Sequence, residues 1–483
     1  MDRPLRAIAD YLAGLRGSDL PASSFHASAR HLVDSLGCAL GALQSPPARI
    51  ARAMAATAPV PGGASVLGLG HGTTPEYAAF ANTVMVRYLD FNDTGIGGHP
   101  SDMIGAILAV AELRGASGAT VVGAIHAAYE TTAALRRGGL HGNLLRTRHI
   151  DQILTTLGAA AGVGVVLDLD APRMANAIAL ALTPNIPLRV TRTGLISEWK
   201  GCATAHGVMN ATFAARLAEQ GLTGPPEPFE GLAGMQELLG LPVLDLSSIG
   251  QHREGRTALE STGLKAFPAE YSAQGPIASL LQMRENVDPA EIERVIVSLP
   301  WSGWHEIGGG VGDRVHKWNP TTRELADHSL PFLLAVVLLD GALTLESFAS
   351  ERWTDPALRA LMQKITVCED PVLTRAHAGE LPHWPWRLAV QLGDGSEWVQ
   401  ESEHARGHPL NPLDDGEVTE KFLRLADGAI PAPVAEALLD AAWRLPDLTT
   451  IDELTGFFRL CASGAGSEPA IGGEGGPGGA PCG

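Results

Sequence analysis

The feature that most constrains this chain is its first 263 residues, a succession of Ala- and Leu-rich segments closed by Gly or Pro. Met103–Arg114, Gly118–Arg137, Ile150–Leu167, Arg173–Leu182 and Ala203–Gln220 all read as helices. Gly115, Gly138 and Gly221 fall where left-handed C-caps are expected, and Pro184 follows one helix end. Abundant small residues let such helices approach one another closely. The expectation is a large helical domain.

The pattern changes after Gly263. Helix-like Gln274–Arg284 precedes the β-branched run Ile292–Leu299, and helix-like Pro356–Gln363 precedes Ile365-Thr366-Val367. Arg387–Leu392 and Glu397–Glu403 flank Gly393-Asp394-Gly395-Ser396, a hairpin signal. Thr322–Asp340 reads as one long helix, and helices return from Asp415 to Cys461. The expected fold is therefore mainly α with a smaller α/β domain. Residues 1–263 form the first part of the helical domain and 264–406 an α/β lid. Residues 407–461 rejoin the helical domain, and 462–483 are a disordered Gly/Pro-rich tail.

Composition excludes several function classes. Acidic residues number 53 against 35 basic ones, giving net −18, with no run of Lys or Arg. That balance argues against nucleic acid and anionic membrane as partners. Cys38, Cys202, Cys368, Cys461 and Cys482 are scattered, signalling neither a disulfide framework nor a zinc or iron–sulfur site. The longest strongly apolar stretch, Leu330 to Leu339, is too short to span a bilayer. The N-terminus starts an amphipathic helix rather than a signal peptide. A cytoplasmic protein is expected. Phosphate-loop, dinucleotide, HExxH and GxSxG patterns are all missing from the sequence. If the protein is an enzyme, its chemistry is expected from side chains, with no cofactor and no metal.

Four polar segments interrupt the apolar background. In the first, Tyr88–Asp102, Ser101 is placed to cap a following helix, leaving His99 just outside a helix N-terminus. Such a His stays neutral near pH 7 and, steadied by Asp90, suits a general base. A polar turn with local Asx bonds explains the same residues. In the second, Leu188–Gly201, Arg189, Arg192 and Lys200 stand ahead of a helix expected just after Gly201, an arrangement that suits carboxylate binding. A solvated loop with its own ion pairs is the alternative. The third, Gly263–Ser272, puts Lys265 at the domain junction, where ligand clefts are favoured although a lone Lys is more often on the surface. In the fourth, Lys317–Phe332, Asp327 and His328 face a cleft or else cap and cover a helix. His149 and Asp151, at another helix start, are a weaker signal.

Together these segments resemble the MmgE/PrpD family, which includes 2-methylcitrate dehydratases and cis-aconitate decarboxylases. The resemblance runs from His31-Leu32-Val33-Asp34-Ser35-Leu36-Gly37 to about Cys461. Its most specific blocks are Asp90-Phe91-Asn92-Asp93-Thr94 with His99-Pro100-Ser101-Asp102, Glu198-Trp199-Lys200-Gly201, Lys265 with Phe267-Pro268-Ala269-Glu270, and Thr322–Ser329. It implies a cofactor-free site between a helical domain and a lid, a small di- or tricarboxylate substrate, and a homodimer. It also implies roles for Asp90, Thr94, His99 and His149 in catalysis, and for Lys200 and Lys265 in substrate binding. Two positions depart from the family pattern. Ser272 stands where an imidazole is common, and Phe332 where a phenol is common.

Arg189, Ser272 and Phe332 complete the expected substrate pocket. The chemistry is coherent. Dehydrating a tertiary alcohol beside carboxylates needs a base, an acid and cations for the developing charge. An iron–sulfur route needs clustered thiolates, which scattered cysteines do not provide. The expected function is a dehydratase of a 2-methylcitrate-like acid. A decarboxylase of a cis-aconitate-like acid, or a non-catalytic relative with an altered pocket, are the alternatives.

Overall fold

The helices begin where caps and prolines dictate. The structure, a computed structural model, describes residues 1–15, 20–95, 98–140, 142–252, 255–310, 312–377 and 383–461. The expected tail, 462–483, lies outside the described residues. We label the elements that position the site α1 (Ala22–Gly41), α2 (Pro75–Tyr88), α3 (Ile104–Leu113), α4 (Gly118–Arg137), α5 (Ile153–Val166) and α6 (Trp199–Glu219). Thr74 caps α2 by accepting from the Tyr77 amide, and Pro75 takes the first position, where no N–H is missed. Ser117 caps α4 through the Thr120 amide.

Helix α5 is buried on nearly every side, so its small residues decide how close its neighbours come. A Cβ on Gly158 would lie 2.4 Å from Met103 Sδ and 2.9 Å from the Ala128 carbonyl. Alanine there would push α4 and α5 apart. Gly115 and Gly221 adopt the expected positive φ, but Gly138 stays at −69° and the turn falls to Gly139 at 138°. Another correction concerns the start of α6: it begins at Trp199, so Lys200 and Gly201 lie in its first turn rather than ahead of it.

Buried apolar residues form two clusters. One draws on Leu5 through Leu264 and resumes from Leu413 to Cys461; the other draws on Ala269 through Ala405. The second surrounds α7 (Gln274–Arg284), α8 (Leu330–Asp340) and four strands, β1 (Ile292–Leu299), β2 (Ile365–Glu369), β3 (Trp386–Leu392) and β4 (Glu397–Ser402). Their order is β2-β1-β3-β4, with β1 and β2 parallel and the other pairs antiparallel. Val295 faces Ile365 and Val390, and Val297 faces Val367 and Leu388, which fixes the register through a buried face. The mainly helical fold with a smaller α/β part is thus present.

Thr322–Asp340 is not one helix. A short turn, Arg323–Ala326, stops, and α8 restarts at Leu330. Pro331 has no N–H to give the Asp327 carbonyl, which accepts instead from the Glu270 amide at 3.1 Å. Ser329, extended at φ −113°, caps α8 through the Phe332 amide. This break frees Asp327 and His328 from a helical surface.

Two chain crossings join the clusters. The Leu264 amide donates to the Gly407 carbonyl at 3.0 Å, while Thr94 and Gly263 exchange two 2.9 Å bonds. Gly407 sits at φ +93°, and a Cβ there would come within 1.9 Å of the Leu264 carbonyl oxygen. Helix α9 (Asp415–Ala426), opened by an Asp414/Glu417 capping box, inserts Lys421 below the crossing. Its ammonium donates to Asp34 Oδ1, the Phe91 carbonyl and the Lys265 carbonyl at 2.6, 2.7 and 3.0 Å. The C-terminal helices therefore brace the polar loop after α2.

Candidate active site

That loop begins with an unusual backbone. Helix α2 ends at Tyr88, and Asp90 adopts φ +52°, a left-handed conformation that aspartate tolerates better than most residues. The turn aims both its carbonyl and its carboxylate at Lys265, whose Nζ donates to them at 2.7 and 2.8 Å. Arg87 Nη1 donates to the same Oδ1 at 2.7 Å. Lys200 Nζ and His328 Nδ1 approach Oδ2 at 3.7 and 3.4 Å. Burial alone would raise the Asp90 carboxyl, but Arg87, Lys265 and Lys200 outweigh it and hold it well below the usual carboxylate range. Asp90 is an anion.

The break before α8 delivers the opposite wall. Lys200 Nζ donates to Asp327 Oδ1 at 2.5 Å, and His328 Nδ1 lies 2.7 Å from the same oxygen. Arg323 Nη1 reaches Asp327 Oδ2 at 3.3 Å while holding the Tyr88 and Leu89 carbonyls. Although burial opposes ionisation, Lys200 and His328 keep the Asp327 carboxyl at about 2. An ionised carboxylate only accepts, so His328 carries its proton on Nδ1. Burial and the Lys200 charge push this imidazole down to about 4, and it is neutral near pH 7.

His99 has a different support. Its Nδ1 lies 2.7 Å from the Asp93 main-chain carbonyl, which fixes the proton there and leaves Nε2 with a lone pair. Nε2 stands 3.8 Å from Asp90 Oδ1. Sequence reasoning gave the orienting role to Asp90; the loop gives it to the Asp93 backbone. Burial, then the Arg87 and Lys265 charges, hold the ring well below its ordinary value. His99 is 8% exposed, whereas Asp90, Lys200 and Lys265 are each 1% exposed. It is the member of this group that solvent can touch.

Asp93 organises the loop. Its carboxylate accepts from Tyr129 Oη at 2.7 Å, the Ser101 hydroxyl at 2.6 Å and the Ser101 amide at 3.0 Å, with His31 Nδ1 at 3.1 Å. Ser101 therefore does not act as the expected helix cap. Asn92 links it to Asp102, donating to Ser101 Oγ at 2.8 Å and Asp102 Oδ1 at 2.9 Å. Burial pushes the Asp102 carboxyl up to about 7, with Arg87 offsetting only part of the effect.

Asp90, His99, Lys200 and Lys265 are thus brought together. Thr94 adjoins them through its backbone bridge to Gly263. His149 is not brought in: it sits exposed at φ +59°, and its carbonyl accepts from the Arg189 amide. Arg189 is buried and already paired, with Nη2 on Glu306 at 2.5 Å and Nη1 near Asp151 at 3.4 Å. The two expected substrate lysines are likewise bonded to Asp90 and Asp327. Any incoming carboxylate must compete with these partners.

Ser272 lies against Gly303, where a Cβ would come 2.9 Å from its own, and its buried hydroxyl lacks a partner. Gly303, in the helix Trp301–Ile307, thus lets that helix approach Ser272 closely. Phe332 packs in the second apolar cluster, its ring 6.3 Å from that of Phe348.

Sequence reasoning missed Arg87, Arg323 and Glu306. Arg87 carried a signal, three residues before Asp90 at a helix end. Glu306 carried none, because it meets Arg189 across 117 positions. Asp90, Asp327 and His328 have the types and proximity to hold a metal ion, but Lys200 and Lys265 fill that space with positive charge.

Family models match in the same order along the chain: the MmgE/PrpD N-terminal domain over residues 6–242 and the MmgE/PrpD C-terminal domain over 267–446. The chain is 30% identical to the 2-methylcitrate dehydratase of Cupriavidus necator over 398 residues, covering 76% of this chain and 78% of that protein. It is 29% identical to the 2-methylcitrate dehydratase of Escherichia coli, covering 84% and 86%. The cis-aconitate decarboxylase of Mus musculus is 25% identical, with 79% and 78% covered. Two domain matches spanning most of the sequence, around one buried network of lysine, histidine and aspartate, make this chain a member of the MmgE/PrpD family.

Proposed function

We propose that this protein is a lyase that dehydrates a 2-methylcitrate-like tricarboxylate without a cofactor. The observation that carries the reading is the unprotonated Nε2 of His99, at the solvent-touched edge of a cation-rich buried network. Arg87, Lys200, Lys265 and Arg323 face two ionised carboxylates, Asp90 and Asp327, so the network has spare positive charge for a polyanion. Substrate carboxylates displace part of the hold of Asp90 on Lys265 and Lys200. His99 Nε2 takes the proton from the carbon beside a carboxylate, and the cations stabilise the carbanion-like charge. The imidazolium so formed returns that proton to the departing hydroxide, releasing water. Burial of the network strengthens each charge contact.

Bacterial dehydratase relatives at 28–30% identity, against 25–26% for the mammalian decarboxylases and 26% for a yeast dehydratase, lean towards loss of water over loss of carbon dioxide. The test is incubation with 2-methylcitrate, citrate and cis-aconitate followed by product analysis. An unsaturated tricarboxylate with no carbon dioxide supports the reading. Carbon dioxide from cis-aconitate would replace it with the decarboxylase.

The protein is also proposed to act as a homodimer in the cytoplasm. Leu188, Val190, Leu195 and Trp199 are exposed at 65%, 69%, 65% and 47%, an apolar stretch suited to burial by a second copy. Cys38, Cys202, Cys368 and Cys461 are free thiols, which fits a reducing compartment. No helix among the described residues is long and apolar enough to cross a membrane. Sedimentation of the full chain tests the dimer.

A further inference from the structure

Three groups of side chains have the spacing of a metal site, and charge separates them. Lysines fill the Asp90, Asp327 and His328 group. In the His126, Glu130 and His252 group, Arg137 Nη2 lies 3.7 Å from Glu130 Oε2, so a cation is already supplied. No cation among the described residues pairs with the third group, His383, Glu403 and His404, whose glutamate is exposed and whose imidazoles are partly buried. Among the described residues, the ion pair of Glu403 is with His383.

We propose that His383, Glu403 and His404 bind a late divalent transition metal, with zinc the best fit, at the base of the β3–β4 hairpin. His383 Nδ1 stands 2.8 Å from His404 Nε2 and 3.6 Å from Glu403 Oε2. Ligands held about 2.0–2.2 Å from a tetrahedral zinc lie about 3.3–3.5 Å from one another, so shifts of several tenths of an ångström complete the geometry. Two imidazole nitrogens and one carboxylate favour zinc over magnesium or calcium, which prefer all-oxygen sets. Water takes the fourth position.

The scaffold beneath the three ligands is ordered by its own hydrogen bonds. The Trp384 amide donates to the Glu403 carbonyl at 3.2 Å, extending the pairing of Trp386 with Ser402. His377 Nδ1 lies 2.5 Å from the His383 carbonyl, and Asn411 Nδ2 donates to the His404 carbonyl at 3.2 Å. The His408 ring lies 4.6 Å from that of His404. His404 lies three residues before Gly407, where the chain crosses back to the larger cluster, so a bound ion ties the start of β3 to that exit. Preorganised donors on two chain segments make the site one that metal stabilises when it binds.

The test uses the full-length protein stripped with a chelator, then dialysed against zinc chloride. Wild type is expected to retain one more zinc per chain than His383→Ala/His404→Ala, and zinc should raise the Tm of wild type but not of that variant. Glu403→Gln should weaken binding by at least about tenfold, since even the outer-shell partners of metal ligands are worth about 10–100-fold. Cobalt substitution gives a tetrahedral absorption band in wild type that the double variant lacks. Circular dichroism checks folding, and His404→Gln serves if the double variant does not fold. Equal zinc content and an equal Tm response in wild type and variant would overturn the site.

Discussion

Asp90 and Asp93 stand three residues apart in one loop, and their surroundings differ in kind. Asp90 is held by charged donors from three directions: Arg87 on α2, Lys200 on α6 and Lys265 at the chain crossing. Asp93 is held by Tyr129, Ser101 and its amide, with His31 beside them. A carboxylate held largely by ammonium groups on long side chains can share them with a competing anion. One tied to a hydroxyl, an amide and a phenol on fixed elements cannot, because each donor lost would be left buried and unsatisfied. In the proposed function Asp90 organises charge for a ligand, while Asp93 fixes loop shape and, through its carbonyl, the tautomer of His99. The same residue type does two jobs because different neighbours surround it.

This contrast can be broken experimentally, and His99 gives the largest effect. His99→Ala should lower turnover by about two to four powers of ten, far beyond what its stability cost of about 1–3 kcal/mol from the lost bond to the Asp93 carbonyl can explain. Near-normal turnover in a folded variant would remove the proton-transfer role. Next comes the Asp90 pair. Lys265→Met leaves Asp90 short of a buried partner and should cost about 3–5 kcal/mol of stability along with at least tenfold in activity. A surface lysine could be replaced at little cost; the buried bond to Asp90 is what makes this one costly. Asp90→Asn/Lys265→Met should recover part of the stability and none of the activity. Recovery of both by the double variant would mean the pair is only structural.

At Asp93 the balance reverses. Asp93→Asn should cost about 1–3 kcal/mol, read by denaturant unfolding, with a smaller loss of turnover than at His99. A turnover loss as large as that of His99→Ala, at unchanged stability, would put Asp93 itself in the reaction.

Asp102 should affect turnover least, and it carries a pH signature in stability. An unfolded aspartate titrates near 4, and the folded one near 7. The native state therefore binds the extra proton across that window, and stability falls as pH rises through it. Asp102→Asn removes the ionisation, so its stability relative to wild type should improve by about 2–3 kcal/mol between pH 5 and pH 8. A pH-independent difference would show that Asp102 ionises normally.

Much of the fold is legible in the sequence because caps, prolines and periodicity act locally. Gln274–Arg284, Ile292–Leu299 and Pro356–Gln363 form where their residues predict. Asp90, His99, Lys200 and Lys265 stand out as candidates for a similar reason: their motifs are short and contiguous. What the sequence could not decide is pairing. Whether Thr322–Asp340 breaks depends on the Asp327 carbonyl finding the Glu270 amide 57 positions away in place of the N–H that Pro331 lacks. Whether Arg189 is open to a ligand depends on Glu306, and whether His149 joins the site depends on a left-handed turn that leaves it exposed. Local sequence sets which groups are available and which backbone turns are cheap. Only the tertiary structure sets which charges meet out of water, and their energies depend on that distance and dielectric rather than on residue type.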